Sequence, residues 1–329
     1  MTETNTTHVE STDPSTGRVE PLSVENAADL CESVERNIGR IIVGNDETIR
    51  HVVTTMLAGG HVLLEDVPGV GKTMVGRSLA RSIDCRFSRI QFTPDLLPSD
   101  ITGANVFNQR TREFEFKEGP VFGNVVLGDE INRAPPKTQS ALLEAMEETQ
   151  VTVDGETMAL PTPFTVIATQ NMVEPNRTYE LPFAEVDRFM KKLSLGYPDV
   201  AGESEMLERT AAHHPIEDLE PVTDRESILR ARETVAEITT RKEVREYAAK
   251  LAAFTREHAE IGASPRGTIA LVKAAKARAM TERREYVLPD DVKAVAPMVL
   301  SHRIKPSSSS PDVDGSAIVE QALSRVSVG

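Results

Sequence analysis

The stretch from Leu63 to Thr73 constrains this chain more than any other. The apolar run His61-Val62-Leu63-Leu64 predicts a strand, and Met74-Val75-Gly76-Arg77-Ser78-Leu79-Ala80 predicts a helix that begins near Lys72. Between them lies a short loop ending in Gly71-Lys72-Thr73. A glycine-rich loop between a strand and a helix is built to hold phosphate. Gly69 and Gly71 let the backbone turn sharply and bring several N–H groups toward one point. The helix start adds the positive end of its dipole. Lys72 can reach β/γ-phosphates and the Thr73 hydroxyl can ligate Mg²⁺. The nucleotide-contacting positions are therefore Val67, Pro68, Gly69, Val70, Gly71, Lys72, Thr73 and Met74. The pattern G-x-x-x-x-G-K-S/T usually opens on glycine, and Asp66 stands there instead. A glycine-rich turn without a ligand is the bland alternative, so the rest of the chain must supply the matching parts.

One such part is Val125-Val126-Leu127-Gly128-Asp129-Glu130, a buried-type strand ending in two carboxylates. Asp129 suits Mg²⁺, which favours oxygen ligands and keeps several waters. Glu130 suits the polarisation of an attacking water. A second is Phe164 to Ala168, another apolar strand, followed by Thr169-Gln170-Asn171, where Asn171 can hydrogen-bond a γ-phosphate or that water. Alone, an acid pair also starts helices and Asn also fills turns. Arg188 sits among Glu185, Asp187 and Phe189, and Arg266 follows Ser264-Pro265 at a helix start. By themselves these are ordinary surface arginines.

With 329 residues and 39% apolar content the chain has room for a large domain and a smaller one. Aromatic residues are only 4% and Trp is absent, so aliphatic side chains must fill the core. The net charge of −14 argues against broad electrostatic binding to nucleic acid or anionic membrane, which needs Lys and Arg against phosphates. The acidic excess, with more Arg than Lys, suits the salt-rich cytoplasm of a halophile and equally an ordinary acidic protein. Cys31 and Cys85 have no metal or disulfide spacing and read as buried free thiols. No apolar run reaches membrane-spanning length, and the polar start lacks a signal core, so a cytoplasmic protein is expected.

Along the chain, Met1 to about Glu20 reads as a disordered acidic leader. A core at 21–200 alternates strands and helices, which implies a parallel sheet. Its helices are expected over Ser23–Ile42, over Asp46–Ala58 with Asn45 as N-cap, over Lys72–Ile83 and over Thr138–Glu148. Hairpins are expected at Asn105–Gly123 and at Gln150–Thr162, the latter turning at Asp154-Gly155. From 201 to 305 the pattern becomes helical and alanine-rich, with Pro265 and Pro289 marking helix starts. Ala248, Leu251, Ala252 and Thr255 share one face there. Ile269, Val272, Lys273 and Lys276 share another, mixed one. A Ser-rich linker and a short helix over Ala317–Val326 complete 306–329. The His213-His214 pair precedes Pro215 without metal-ligand spacing and reads as exposed loop.

Taken in order, these segments resemble the AAA+ ATPases, and within them the MoxR family. The resemblance spans about residues 23 to 305. It is carried by the run Gly128 to Glu148, by Phe92-Thr93-Pro94-Asp95-Leu96-Leu97-Pro98 and by Gly262-Ala263-Ser264-Pro265-Arg266. It implies an α/β P-loop core with a parallel sheet and β-hairpin inserts, followed by a small helical lid. It implies Walker A roles for Lys72 and Thr73 and Walker B roles for Asp129 and Glu130. Asn171 matches sensor 1, Arg266 sensor 2, and Arg188 an arginine finger directed at a neighbouring subunit. Val43 and Gly44 lie in the segment Ile42-Val43-Gly44-Asn45 that matches the adenine flank. Asn45 and Met172 depart from the family's usual Gln and Pro. The implied activity is hydrolysis of Mg-ATP by a ring, hexameric in type, that remodels or matures protein complexes with client proteins and a von Willebrand A domain partner. A metal-chelatase ATPase subunit shares the hairpin inserts, a DNA motor is disfavoured by the acidic charge, and a nucleotide switch with little turnover would not need Glu130, Asn171 and Arg188.

Overall fold

The computed structural model describes residues 19–171, 179, 181–210, 215–307 and 314–328. The leader ahead of residue 19, Met172, the His213-His214 pair and residues 308–313 of the Ser-rich segment lie outside the described residues. The strands are β1 (Val62–Asp66), β2 (Phe87–Gln91), β3 (Gly103–Asn108), β4 (Glu113–Glu118), β5 (Val125–Asp129), β6 (Gln150–Val153), β7 (Glu156–Ala159), β8 (Thr165–Asn171) and β9 (Lys191–Leu193). The helices are α1 (Val24–Gly39), α2 (Asp46–Leu57), α3 (Lys72–Ser82), α4 (Pro98–Thr102), α5 (Pro136–Glu148) and α6 (Phe183–Val186). They continue with α7 (Val200–Thr210), α8 (Arg225–Glu237), α9 (Lys242–His258), α10 (Pro265–Thr281), α11 (Pro289–Leu300) and α12 (Gly315–Arg325).

The central sheet is parallel throughout, in the order β2-β5-β8-β1-β9. A parallel sheet must be covered on both faces, so its strands run nearly continuously apolar. In β1, Val62 and Leu64 enter the apolar cluster that contains α1, α2 and α3, whereas Leu63 enters the cluster that contains α5. Alternation along one strand therefore feeds two cores, one on each face. The helices after residue 200 share the first of these clusters with α1 and α2: Val235, Leu251, Leu271 and Val295 belong to it. Among the described residues, no helix is long and apolar enough to cross a membrane.

Local chemistry explains the element ends. Ser23 caps α1 by accepting from the Asn26 N–H at 3.1 Å, and Ser264 caps α10 by accepting from the Gly267 N–H at 3.1 Å. Asn45 occupies the N-cap position of α2, as expected, yet its side chain donates to the Val43 carbonyl (3.4 Å) and caps nothing. The second hairpin turns where the sequence places it, with Asp154 and Gly155 both at positive φ. Cys31 is buried, as expected, whereas Cys85 is only half-buried, because it lies just beyond the end of α3. The mixed face of α10 carrying Ile269, Val272, Lys273 and Lys276 borders an open groove, and the tightly packed face is the alanine-rich one with Ala270, Ala274 and Ala277.

Strand β9 has no strand signature: three residues, two of them lysines. Burial decides it. Lys191 is fully enclosed beside β1, where its ammonium meets the Thr54 hydroxyl (3.0 Å) and His51 Nδ1 (3.3 Å). Desolvation pulls its pKa down to about 7.

Candidate functional site

Ligands of open parallel α/β sheets sit outside the carboxyl ends of the strands. Here those ends gather Asp66, Gln91, Asp129 and Asn171 in one row, because β1, β2, β5 and β8 all run the same way. The loop leaving β1 holds Gly69 at φ 88° and Gly71 at φ 92°, the left-handed conformation that L-residues resist. Gly71 is the residue from which α3 starts, and its carbonyl accepts from the N–H groups of Met74 (2.8 Å) and Val75 (3.2 Å). Among the described residues, the N–H groups of Gly69, Gly71, Lys72 and Thr73 donate to no protein acceptor. A run of free donors at a helix start is an anion cradle.

Lys72 is buried and ties this cradle to the neighbouring strands. Its ammonium donates to the Asp66 carbonyl (3.1 Å) and to Asn171 Oδ1 (2.7 Å). Burial lowers its pKa, with the carboxylates of Asp66, Asp129 and Glu130 opposing that shift. Asn171 Nδ2 donates in turn to Glu130 Oε1. Glu130 Oε2 accepts from Arg133 Nη1 (2.7 Å) and Gln91 Nε2 (3.0 Å). The Glu130 backbone itself is left-handed, at φ 57°, and its N–H donates to the Thr169 hydroxyl at 2.8 Å. The Thr169 hydroxyl donates in turn to Asp129 Oδ1 (2.8 Å), while Arg89 holds Asp129 Oδ2 through Nη2 (2.6 Å) and Nε (3.2 Å). Lys72, Asn171, Glu130 and Asp129 thus form one connected polar row, and non-glycine strain at Glu130 marks its centre.

Val43 and Gly44 lie on the loop between α1 and α2, with Gly44 at φ 74°. Helix α7 lies alongside this loop: Arg209 reaches the Gly39 and Arg40 carbonyls (3.1 and 2.7 Å), and Gly202 faces Val43. Thr73 is half-buried in the first turn of α3. Thr73 and Asp129 offer two hard oxygens, a donor set that fits Mg²⁺ because this ion keeps waters and takes the rest of its shell from phosphate.

Asp66, where the usual pattern has glycine, is a clamp. Its Oδ1 accepts from Ser194 Oγ (2.8 Å) and the Gly196 N–H (3.1 Å), and its Oδ2 from the Leu195 N–H (2.6 Å). It fastens the segment after β9 to the root of the phosphate loop, and it is 5% exposed. Asp66→Ala is expected to destabilise the fold by about 2–4 kcal/mol, since it strands several buried donors at once. Urea unfolding measures this, and Asp66→Gly, which restores the common pattern, is expected to lose a similar amount rather than improve the protein. Stability equal to that of the parent chain would remove the clamp.

Arg188 and Arg266 are not brought to this row. Arg188 precedes β9, and the Met190 N–H donates to the carbonyl of His61 just ahead of β1, so Arg188 lies at the amino edge of the sheet. It contacts Glu185 (2.8 Å), Glu147 (2.9 Å) and the Leu143 carbonyl (2.7 Å). Arg266, in the first turn of α10, pairs with the same Glu147. The whole length of β1, about 13 Å at 3.3 Å per residue, separates this edge from the phosphate loop.

Sequence reasoning missed Arg89, Gln91, Thr169 and Glu147. A period-two signal was available for the first three: Arg89 and Gln91 alternate with buried Ile90, and Thr169 stands two residues before Asn171 on the same face of β8. Nothing local marks Glu147.

Comparison with known proteins places these features in context. Residues 61–191 match the ATPase family associated with various cellular activities (AAA), and residues 251–322 match the AAA lid domain. The chain is 50% identical over 303 residues to the uncharacterized protein YeaC of Bacillus subtilis, covering 91% of this chain and 94% of that one. It is 40% identical over 298 residues to the chaperone MoxR1 of Mycobacterium tuberculosis, covering 86% and 78% respectively. A candidate ATPase from Cytophaga hutchinsonii, known from its crystal structure, superposes with a TM-score of 0.87 at 39% identity, over 93% of this chain and 97% of that one.

Proposed function

The chain belongs to the MoxR family of AAA+ ATPases, and from that premise we propose that it hydrolyses Mg-ATP at sites shared between neighbouring subunits of a ring. The observation that carries this reading is the division of the machinery between opposite edges of one sheet. The cradle with Lys72, Asp129, Glu130 and Asn171 lies at the carboxyl edge, and Arg188 with Arg266 at the amino edge. Phosphate held by Lys72 is out of reach of the same chain's Arg188. A closed head-to-tail ring brings the amino edge of one subunit to the carboxyl edge of the next, and hexamers are the common AAA+ form.

In that arrangement the N–H groups of 69–73 and Lys72 bind the β/γ-phosphates, and Val43 and Gly44 flank the base. Thr73 and Asp129 hold Mg²⁺, which supplies charge neutralisation and orients the phosphate oxygens when bound. Glu130, aimed by Gln91 and Arg133, acts as the base toward water, and Asn171 orients that water or the γ-phosphate. Arg188 and Arg266 offset the charge that develops on the phosphate across the interface. The cycle drives chaperone-like remodelling or maturation of protein complexes in the cytoplasm, with protein clients and a von Willebrand A domain partner.

ATP hydrolysis measured against protein concentration, with Mg²⁺, tests the shared site: specific activity should rise with concentration as the ring assembles. Concentration-independent turnover by a particle that sizes as a monomer would overturn it. Lys72→Ala should weaken ATP binding by about 10- to 100-fold, the 1.5–3 kcal/mol of a charged hydrogen-bond donor. Fluorescent-nucleotide titration reads this directly, and unchanged affinity would remove Lys72 from the cradle.

A further inference from the structure

Arg188 and Arg266 come from distant parts of the chain, yet they meet at a single carboxylate. Glu147 Oε2 lies 2.9 Å from Arg188 Nη1, and its Oε1 accepts from Arg266 Nη2. We propose that Glu147 is the exchangeable counter-ion that gathers the two arginines into one face and releases them to the polyphosphate of a neighbouring subunit. The inference rests on the shared-site reading above.

Glu147 stands where a carboxylate is disfavoured. It lies in the last turn of α5, at the negative end of the helix dipole, and that turn has no basic residue of its own. The arginines compensate from outside the helix, and Arg188 Nη1 also donates to the Leu143 carbonyl at 2.7 Å. Without Glu147, two guanidinium groups drawn to one place would repel each other. Arg188 would keep Glu185, at 2.8 Å, and Arg266 would lose the only ion-pair partner it has among the described residues.

The support beneath Glu147 is rigid. The adjoining Met146 carbonyl accepts from His61 Nε2 (3.1 Å), and His61 Nδ1 accepts from the Val166 N–H (3.0 Å). This fixes one tautomer, and burial keeps the ring neutral, with its pKa lowered to about 4. The end of α5 is thereby tied to β1 and β8.

Two ion pairs side by side divide the work. Asp187, next to Arg188, pairs with Arg303 at 2.7 Å and accepts from the Ser264 hydroxyl at 2.8 Å. The Arg303 side chain is 1% exposed, and its other N–H groups fill the carbonyls of Asp187, Phe189 and Met190. That pair pins the lid to the core, because breaking it would leave a buried charge. The Arg266–Glu147 pair is 47% and 35% exposed, and such pairs contribute little to stability. A single carboxylate at this wet edge is readily replaced by a more highly charged polyphosphate, while the pin beside it holds the arginine backbones in place.

Glu147→Gln keeps the shape and removes the charge. It is expected to lower kcat by roughly 10- to 100-fold through misplacement of the arginine face, with KM for ATP unchanged. Mixing experiments separate this from general damage. Equal mixtures of Glu147→Gln with Lys72→Ala subunits should regain activity, because the latter supply an intact arginine face to the former's phosphate loop. Mixtures of Glu147→Gln with Arg188→Ala should not, because both are defective on the same edge. Recovery with Arg188→Ala, recovery with neither partner, or parental kcat would each overturn the role of Glu147. The mixture of Lys72→Ala with Arg188→Ala is the reference. Its failure to regain activity would overturn the shared site and this inference together, and its success beside a Glu147→Gln failure overturns Glu147 alone.

Discussion

Arg188→Ala subunits are expected to bind ATP with unchanged affinity and to lose about 10³- to 10⁵-fold in kcat, the range an arginine finger contributes to phosphoryl transfer. The structural reason is position. Arg188 lies at the amino edge of the sheet, beside Glu147 and Glu185, a strand's length from the cradle proposed to hold its own chain's nucleotide. Removing it cannot disturb that cradle directly. Arg188→Lys should rescue little, since a point charge does not replace the planar fork that meets two phosphate oxygens. Nucleotide titration and steady-state turnover on the same preparation give both numbers. A fall in ATP affinity of isolated subunits as large as the fall in kcat would mean that Arg188 serves its own chain.

Glu130→Gln should do the complementary thing on the other edge. ATP binding is expected to persist and kcat to fall by roughly 10²- to 10⁴-fold, the contribution of a positioned general base. Glutamine fills the same space and its single amide oxygen can still accept from Arg133 and Gln91, but its NH2 cannot accept from Asn171 Nδ2, and it takes no proton. Parental turnover would remove Glu130 from this role. The two variants differ in a mixture with Lys72→Ala: Arg188→Ala complements it, whereas Glu130→Gln and Lys72→Ala are defective at the same edge and do not.

Much of the polar row is legible in the sequence. Its acids and its amide stand at the ends of apolar strands, and an apolar strand followed by a functional group is a local signal. Asp129 ends β5 with Glu130 next to it, and Asn171 ends β8, whereas Lys72 opens α3 just beyond the loop that leaves β1. The glycines of the phosphate loop were legible because left-handed backbone demands them. Asp66 was visible only as a departure. Its purpose depends on Ser194, Leu195 and Gly196, which lie more than a hundred residues away in the chain. Strand β9 was illegible because its residues are lysine-rich and its burial is imposed by neighbours rather than announced by composition.

The sequence by itself determined the class of fold, the glycine-rich loop after β1 and the acid pair at the end of β5, because local backbone preference and strand periodicity act over a few residues. Only the tertiary structure decided which edge of the sheet each charged group occupies. It separated Arg188 and Arg266 from Lys72, joined both to Glu147, and set Arg89 against Asp129. These pairings arise where segments distant in sequence are packed together. Charges attract without regard to chain order, so their partners are fixed only when the cores on both faces of the sheet have closed.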